Sequence, residues 1–271
     1  MTRDIPDFEL TAAMASLYRS GDYFVTIPAG PSEPKEDTYW TKSIDPDGKL
    51  RDRFAERDQY VGNIRPELDF IAGLTPGRVL DIGCGPGWLL SAIGVDWDKN
   101  GVELSAAAAK HAAQYGNIFV GPFESSSFSP DSFDLIIMYH VIEHLPDPVD
   151  AVRRACSLLR PGGHLVLGTP DFDSGCARRY GNQYRMLHDP THISLFSNES
   201  MHRCLRDNGF HIDQVEYPYF ETQWFNRENL LGVLETEGIS PPFYGNFMTF
   251  YGSRNEEQKV RDRGILPSVL T

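Results

Sequence analysis

Val79-Leu80-Asp81-Ile82-Gly83-Cys84-Gly85-Pro86-Gly87 is the stretch that decides the fold. Its first residues are apolar apart from one acid, as in a strand buried within a parallel sheet. Glycines at 83, 85 and 87 then force a tight turn into Trp88-Leu89-Leu90-Ser91-Ala92-Ile93, which reads as a helix. Glycine is needed where a backbone turns sharply and approaches a ligand with no Cβ in the way. Asp81 stands at the carboxyl end of the strand, where ligands bind in open α/β sheets. Further on, Gly101-Val102-Glu103 reads as another short strand ending in a carboxylate. A carboxylate there suits a ribose diol, because it accepts from two hydroxyls at once.

The turn departs from the dinucleotide fingerprint G-x-G-x-x-G, since Trp88 stands where the third glycine would be. Pro86 also removes a backbone N–H that a pyrophosphate would use. An acid at the strand end disfavours phosphates and favours a cationic, amino-bearing ligand. Two more blocks follow in order. One is Ser132-Phe133-Asp134-Leu135-Ile136-Ile137-Met138-Tyr139-His140-Val141-Ile142-Glu143-His144-Leu145. The other is Leu158-Leu159-Arg160-Pro161-Gly162-Gly163-His164-Leu165-Val166-Leu167-Gly168-Thr169-Pro170. The three blocks together resemble the class I S-adenosylmethionine-dependent methyltransferases, the first being motif I of that family.

The resemblance implies an α/β fold: a doubly wound, mostly parallel seven-stranded sheet with helices on both faces, its last strand antiparallel. It implies S-adenosylmethionine as cofactor and S-adenosylhomocysteine as product. On the same basis Gly83, Cys84, Gly85 and Gly87 back the amino-acid end of the cofactor, and Asp81 anchors it directly or through water. Glu103 takes the ribose hydroxyls, with Leu104 beside it. The segment Val120-Gly121-Pro122-Phe123-Glu124 falls where the family contacts adenine. Pro122 occupies the place of the usual acid, so Glu124 or a backbone carbonyl takes that role and Phe123 flanks the ring. Tyr139 and His140 are expected below the sulfonium, where an aromatic face near a cation contributes about 0.5–2 kcal/mol.

The 271 residues fit one large domain, or one domain with a cap, and 41% hydrophobic residues suffice for a core. No apolar run reaches the roughly eighteen residues of a membrane span. Met1-Thr2-Arg3-Asp4-Ile5-Pro6-Asp7 carries no apolar signal core. Four cysteines at 84, 156, 176 and 204 form no C-x-x-C pair, which points to a reduced, cytoplasmic chain without structural zinc. A net charge of −13 repels phosphate backbones. The expected partner is therefore a small-molecule acceptor, with no nucleic acid and no membrane span; a homo-oligomer stays open.

Residues 1–60 read as a leader or lid with scattered aromatics, within which 50–64 is predicted to be helical. Residues 61–252 form the methyltransferase domain, with substrate-cap insertions at 171–200 and 217–245, and 253–271 read as a charged tail. Strands are predicted at 78–83, 99–103, 117–120, 133–139, 163–169, 210–217 and 245–251, and helices at 105–115 and 148–159. Ser105 is placed as an N-cap, and Arg160-Pro161-Gly162-Gly163 as a stop between helix and strand. The insertion at 217–245 is rich in aromatics, including Tyr217, Tyr219, Phe220, Trp224 and Phe225, which suit an apolar or ring-bearing substrate.

Two histidine blocks bear on chemistry. His140 and His144 stand four apart, so a helical turn would place them on one face. The later block is His188-Asp189-Pro190-Thr191-His192-Ile193-Ser194-Leu195-Phe196-Ser197. Glu143-His144-Leu145-Pro146-Asp147-Pro148 resembles the loop after the fourth strand in ubiquinone-pathway O-methyltransferases. His192 resembles the histidine they carry before a short helix, which Ser197 and Ser200 would cap. Three readings follow. His144 or His192 serves as general base for an O-methylation. Alternatively Glu143, His144 and His192 hold a divalent metal, as a similar arrangement does in small-RNA terminal methyltransferases; His140 replaces a glutamate there. Or the three groups only stabilise their loops. The favoured reading is O-methylation with His144 and His192 as catalytic residues and no metal. N- or C-methylation by proximity, or binding of the cofactor without transfer, are the rivals.

Overall fold

The computed structural model describes residues 5–29, 40, 42–44, 50–235 and 237–255. Seven strands form the central sheet: β1 (Arg78–Ile82), β2 (Asp98–Glu103), β3 (Asn117–Val120), β4 (Phe133–Tyr139), β5 (Leu159–Pro170), β6 (Phe210–Glu216) and β7 (Phe247–Arg254). Their order is β6-β7-β5-β4-β1-β2-β3. The pairs among β1 to β5 are parallel, and β7 runs antiparallel to both β5 and β6. This is the seven-stranded, doubly wound arrangement that the sequence motifs imply. The helices are α1 (Leu10–Ser20), α2 (Arg57–Asn63), α3 (Arg65–Ala72), α4 (Trp88–Ala92), α5 (Ala106–Ala112), α6 (Pro148–Leu158), α7 (Gly175–Tyr180), α8 (Asn198–Asp207) and α9 (Arg227–Gly232).

Alternation along the central strands separates the two faces of the sheet. Leu80, Ile82, Ile136 and Met138 point into one core, where Val152, Ala155, Met201 and Leu205 from α6 and α8 cover them. Val79, Leu135 and Ile137 point the other way and pack with Ile71, Leu89 and Leu90 from α3 and α4. Strands covered on both sides read as continuous apolar runs, which is why 79–82 and 133–139 stand out in the sequence. The caps follow local chemistry. Ser105 Oγ accepts from Ala108 N at 3.3 Å to start α5. Asp147 caps α6 with Pro148 in its first turn. Ser197 and Ser200 close a reciprocal capping box on α8.

Two expectations need correction. The stretch 50–64 is not one helix: Leu50–Arg51 pairs with Ser43–Ile44, and helix begins only at Arg57. Asp52 accepts from Phe54 N at 3.1 Å, and Arg51 Nε meets the Glu56 carboxylate at 2.9 and 3.0 Å. Such local side-chain bonds compete with the helix ladder. The Pro161-Gly162-Gly163 stop does not separate helix from strand either. β5 already starts at Leu159, and the extra residues are absorbed where the β4–β5 register shifts between Phe133 and Leu135.

A third core lies beside the sheet. Leu10, Met14 and Leu17 of α1 pack on Phe172, Ala177, Tyr184 and Leu195. Val25–Thr26 pairs antiparallel with Ser194–Leu195. The described residues 5–29 therefore dock on the 171–200 segment, while Trp40, Arg51, Arg53, Glu56 and Tyr60 approach the sheet end. At the far end β7 runs to Arg254, which is buried, meets Asp131 at 2.6 Å and donates to the Leu159 carbonyl. Of the expected tail, 256–271 lie outside the described residues. Among the described residues no helix is long and apolar enough to cross a membrane.

One glycine ties the sheet to the cavity at its end. A Cβ on Gly168 of β5 would fall 2.5 Å from the Tyr139 ring of β4. Gly168→Val should therefore lower stability by about 1–3 kcal/mol, the usual cost of overpacking. A urea midpoint equal to that of the parent protein would contradict this packing.

Candidate active site

β1 ends at Ile82, and the chain turns through Gly83, Gly85 and Gly87 with φ of +71°, +52° and +82°. Gly83 N and Cys84 N both donate to the Val102 carbonyl, at 2.8 and 3.0 Å, which binds the turn to β2. Gly85 needs glycine for its backbone and for space: its φ is left-handed, and a Cβ there would sit 2.8 Å from the Trp40 ring. Gly87 heads α4, where a Cβ would press on Ala112 at 2.9 Å.

The carboxylate of Glu103 closes this corner. One oxygen accepts from Gly85 N at 2.9 Å and the other from Ser105 N at 2.8 Å. An ionised carboxylate has about four lone-pair sites, so each oxygen keeps acceptor capacity toward the cavity. Asp81 lies one layer deeper, 3% exposed, between Cys84 and Tyr60. Burial and the neighbouring Glu103 charge push its carboxyl up to about 8. The same burial, with Asp81 and Glu103 near, raises the Cys84 thiol, so the cysteine sits there as an inert thiol.

The glycine turn, Cys84 and Glu103 border a cavity of about 930 Å³ at the carboxyl ends of the strands. Gly83, Cys84, Gly85, Glu103, Leu104, Phe123, Glu124, Tyr139, His140, His144 and His192 all line it, so most residues singled out in the sequence come together. Asp81 and Gly87 stand behind the lining. Phe123 is buried at the start of a short 3-10 turn after β3, and Glu124 beside it is exposed. The chain also supplies Trp40, Arg51, Arg53 and Tyr60 from its first sixty residues, and Trp224 and Phe247 from its last third. Arg185, Met186 and Thr191 are further lining residues for which the sequence offered no role. The one local signal was the Asp189-Pro190-Thr191 triplet, a turn former next to a histidine.

The histidine corner is built differently from the helical turn expected of it. His140 has φ +56°, a conformation that a non-glycine residue rarely holds, and only Ile142–His144 makes a 3-10 turn. His140 and His144 therefore do not stack on one helix face. His140 packs against Phe247 with ring centroids 4.8 Å apart, and its Nδ1 is 3.3 Å from Glu143 Oε1. His144 packs toward His192 at 4.9 Å between centroids.

Glu143 is fully buried. Its Oε2 accepts from Thr169 Oγ1 at 3.1 Å, and its Oε1 lies 4.0 Å from His192 Nε2. Burial alone would raise its carboxyl; the bond from His140 and the imidazoles of His144, His140 and His192 outweigh that and bring it down to about 2. His192 Nδ1 sits 2.6 Å from the Met186 carbonyl, which only accepts, so this nitrogen carries the hydrogen, and in the neutral ring Nε2 carries the lone pair. Asp189 Oδ2 lies 3.8 Å from that Nε2. Glu143, His144 and His192 offer one ligand atom each within 4.8 Å of one another.

Known proteins share both the pattern and the fold. A family model described as "Methyltransferase domain" matches residues 54–215. A ubiquinone biosynthesis O-methyltransferase from Cupriavidus pinatubonensis is 32% identical over 111 residues, which is 38% of this chain and 45% of that relative. A protein of the same name from Xanthomonas euvesicatoria pv. vesicatoria is 30% identical over 182 residues, covering 62% of this chain and 76% of the relative. Apart from that longer match, the chain spans about half the length of the curated relatives it matches. Among solved structures, a SAM-dependent methyltransferase from Thermotoga maritima, a possible histamine N-methyltransferase, superposes with a TM-score of 0.54. It is 24% identical, covers 74% of this chain and 93% of its own, and shows the fold. With the sheet order and the matched span in agreement, the chain belongs to the methyltransferase domain family and has the class I fold.

Proposed function

We propose that this chain transfers a methyl group from S-adenosylmethionine to a hydroxyl oxygen of a small, largely apolar acceptor, with His192 and His144 handling the hydroxyl proton. The observation that carries the reading is the buried Glu143 carboxylate flanked by three imidazoles in the same cavity as the glycine turn and Glu103. A hydroxyl acceptor has to lose a proton, and this corner is built to receive one. The names of the curated relatives, ubiquinone biosynthesis O-methyltransferases, favour oxygen over nitrogen or carbon.

The residues present fit the cofactor. The Cβ-free turn at Gly85 lets a ligand approach the backbone, and Glu103 keeps acceptor sites for the ribose hydroxyls while its other sites hold the turn. Asp81 and Tyr139 suit the cationic end, one as a buried acid and the other as an aromatic face. Phe123 and Glu124 suit the adenine, and Leu104 flanks the ribose. The bound cofactor supplies an electrophilic methyl on a sulfonium. The protein's own task is placement, which removes most of the entropic barrier, and proton removal. His192 accepts the acceptor's proton at Nε2, and Glu143 at 4.0 Å and Asp189 at 3.8 Å stabilise the resulting imidazolium. Trp40, Trp224 and Phe247 form apolar walls that exclude water, with the N-terminal segment and both insertions acting as the cap.

A second reading rests on the mutual 4.8 Å spacing of Glu143, His144 and His192, which suits a divalent cation that would orient and acidify the hydroxyl. Treatment with a chelator, then readdition of divalent metal, decides between them. Activity that survives chelation supports the histidine base; loss and recovery supports the cation.

Three outcomes are expected. Glu103→Ala should weaken S-adenosylhomocysteine binding by about 1.5–3 kcal/mol, the range for hydrogen bonds to a charged group, in a protein that still folds. Calorimetry giving the parent affinity would remove Glu103 from the ribose.

Asp81 gives a pH signature. Its carboxyl is raised in the folded protein, so this group favours the free fold at low pH and that contribution is lost as pH rises toward about 8. A cationic ligand favours the ionised form. Binding of S-adenosylmethionine at pH 7 should therefore release up to about one proton, and affinity should climb with pH toward that value. Calorimetry in buffers of different ionisation enthalpy reads the proton, and Asp81→Asn should abolish its release. Identical heats in all buffers for the parent protein would count against this role.

With a catechol as test acceptor, the His144→Ala/His192→Ala variant should lose about 10²- to 10⁴-fold in turnover. Its S-adenosylhomocysteine affinity should barely change. Full turnover in the folded double variant would leave placement as the sole source of catalysis.

A further inference from the structure

His144 is joined to Thr191 and, through it, to Asp189, both in the lining of the same cavity. Its Nδ1 lies 2.9 Å from Thr191 Oγ1 and 3.1 Å from the Thr191 carbonyl oxygen. Thr191 Oγ1 in turn lies 2.6 Å from Asp189 Oδ1, which also accepts from Thr191 N at 2.9 Å. The loop carrying this chain is clamped independently. Ile193 N donates to the Glu143 carbonyl at 2.9 Å, and Ser194 Oγ to the Leu145 carbonyl at 2.7 Å.

Counting protons along the chain fixes its direction. A carboxylate oxygen has no hydrogen to give, so the single hydroxyl proton of Thr191 goes to Asp189. The hydroxyl then meets His144 with a lone pair. The Thr191 carbonyl meets it with lone pairs as well. Both groups at Nδ1 are acceptors, so the ring nitrogen must supply the hydrogen. A neutral imidazole has one N–H, which leaves the lone pair on Nε2.

We infer that Asp189 and Thr191 are positioning residues: through the Thr191 hydroxyl they hold His144 in the Nδ1–H tautomer, so that Nε2 is the nitrogen it offers for chemistry. The inference rests on the reading of His144 as a participant in the transfer. Asp189 then has two roles in one loop, orienting His144 through Thr191 and facing His192 directly.

The test is the tautomer itself, read by ¹⁵N NMR on the full chain labelled at histidine, with His144→Gln assigning the signal. At a pH where the ring is neutral, the parent protein should show a pyrrole-type Nδ1 and a pyridine-type Nε2 at His144. Thr191→Val deletes the hydroxyl acceptor and should shift the tautomer ratio by roughly tenfold, the equivalent of one hydrogen bond. Asp189→Ala frees the hydroxyl proton to turn toward Nδ1 and should shift the ratio the same way. Thr191→Ser restores the hydroxyl and should restore the parent signal. A hydrogen on Nε2 in the parent protein would overturn the inference. So would an unchanged ratio in folded Thr191→Val, or a Thr191→Ser variant that behaves like valine. A merely structural threonine would alter melting without moving the ¹⁵N pattern. Should His144→Ala keep full turnover while the tautomer responds as stated, the failure lies with the role of His144 in transfer and not with the relay.

Discussion

A carboxylate with no solvent exposure has to be matched by polar partners, and Glu143 imposes that requirement on three separate segments at once. Thr169 comes from β5, His140 from the end of β4, and His192 from the loop that follows residue 188. The Glu143 backbone carbonyl takes Ile193 N as well, so side chain and main chain hold the same loop. Removing the carboxylate would loosen all three. The strained φ of His140 makes sense in this light: the backbone is held there because the ring must reach both Glu143 and Phe247.

The opposite end of the cavity follows the same logic with a different outcome. Glu103 is satisfied by two backbone N–H groups and keeps spare acceptor sites. Asp81 behind it has no such donors among the described residues, and burial beside Glu103 pushes its carboxyl up to about 8. One corner holds a carboxylate already engaged by Thr169 and His140, and the other holds an acid that a cation could ionise. A cavity with this polarity suits a positively charged donor at one end and a proton-losing acceptor at the other.

How much of this could be read from the chain depends on how far apart the partners lie. The strands at 79–82 and 133–139 are legible because burial on both faces leaves local apolar runs. The turn at Gly83–Gly87 is legible because a left-handed backbone demands a specific residue type at fixed spacing. The caps at Ser105 and Ser197 act within a single helical turn and were equally visible. The stretch 50–64 misled because charge suggests an exposed helix, whereas Arg51 and Asp52 were engaged in their own turn. The helical face for His140 and His144 misled for another reason. Spacing in sequence carries no information about a residue forced to positive φ by contacts with Phe247. The Thr191–His144 bond spans 47 positions and the Trp40–Gly85 contact joins the lid to the first strand's turn, so neither has a local signature.

The pairing of Val25–Thr26 with Ser194–Leu195 bears on how the molecule is assembled in time. Within β1 to β5 the widest pairing joins Val79 to Leu135, whereas the strand that follows His192 waits for a much more distant partner near the start of the chain. Loop closure of that length is slow compared with local pairing. The nascent protein can thus hold a formed sheet, and the glycine turn on it, before the histidine loop has its register. Ordering of that loop and docking of α1 become one cooperative event, so a folding intermediate of this chain would present the glycine turn and Glu103 ahead of an ordered histidine corner.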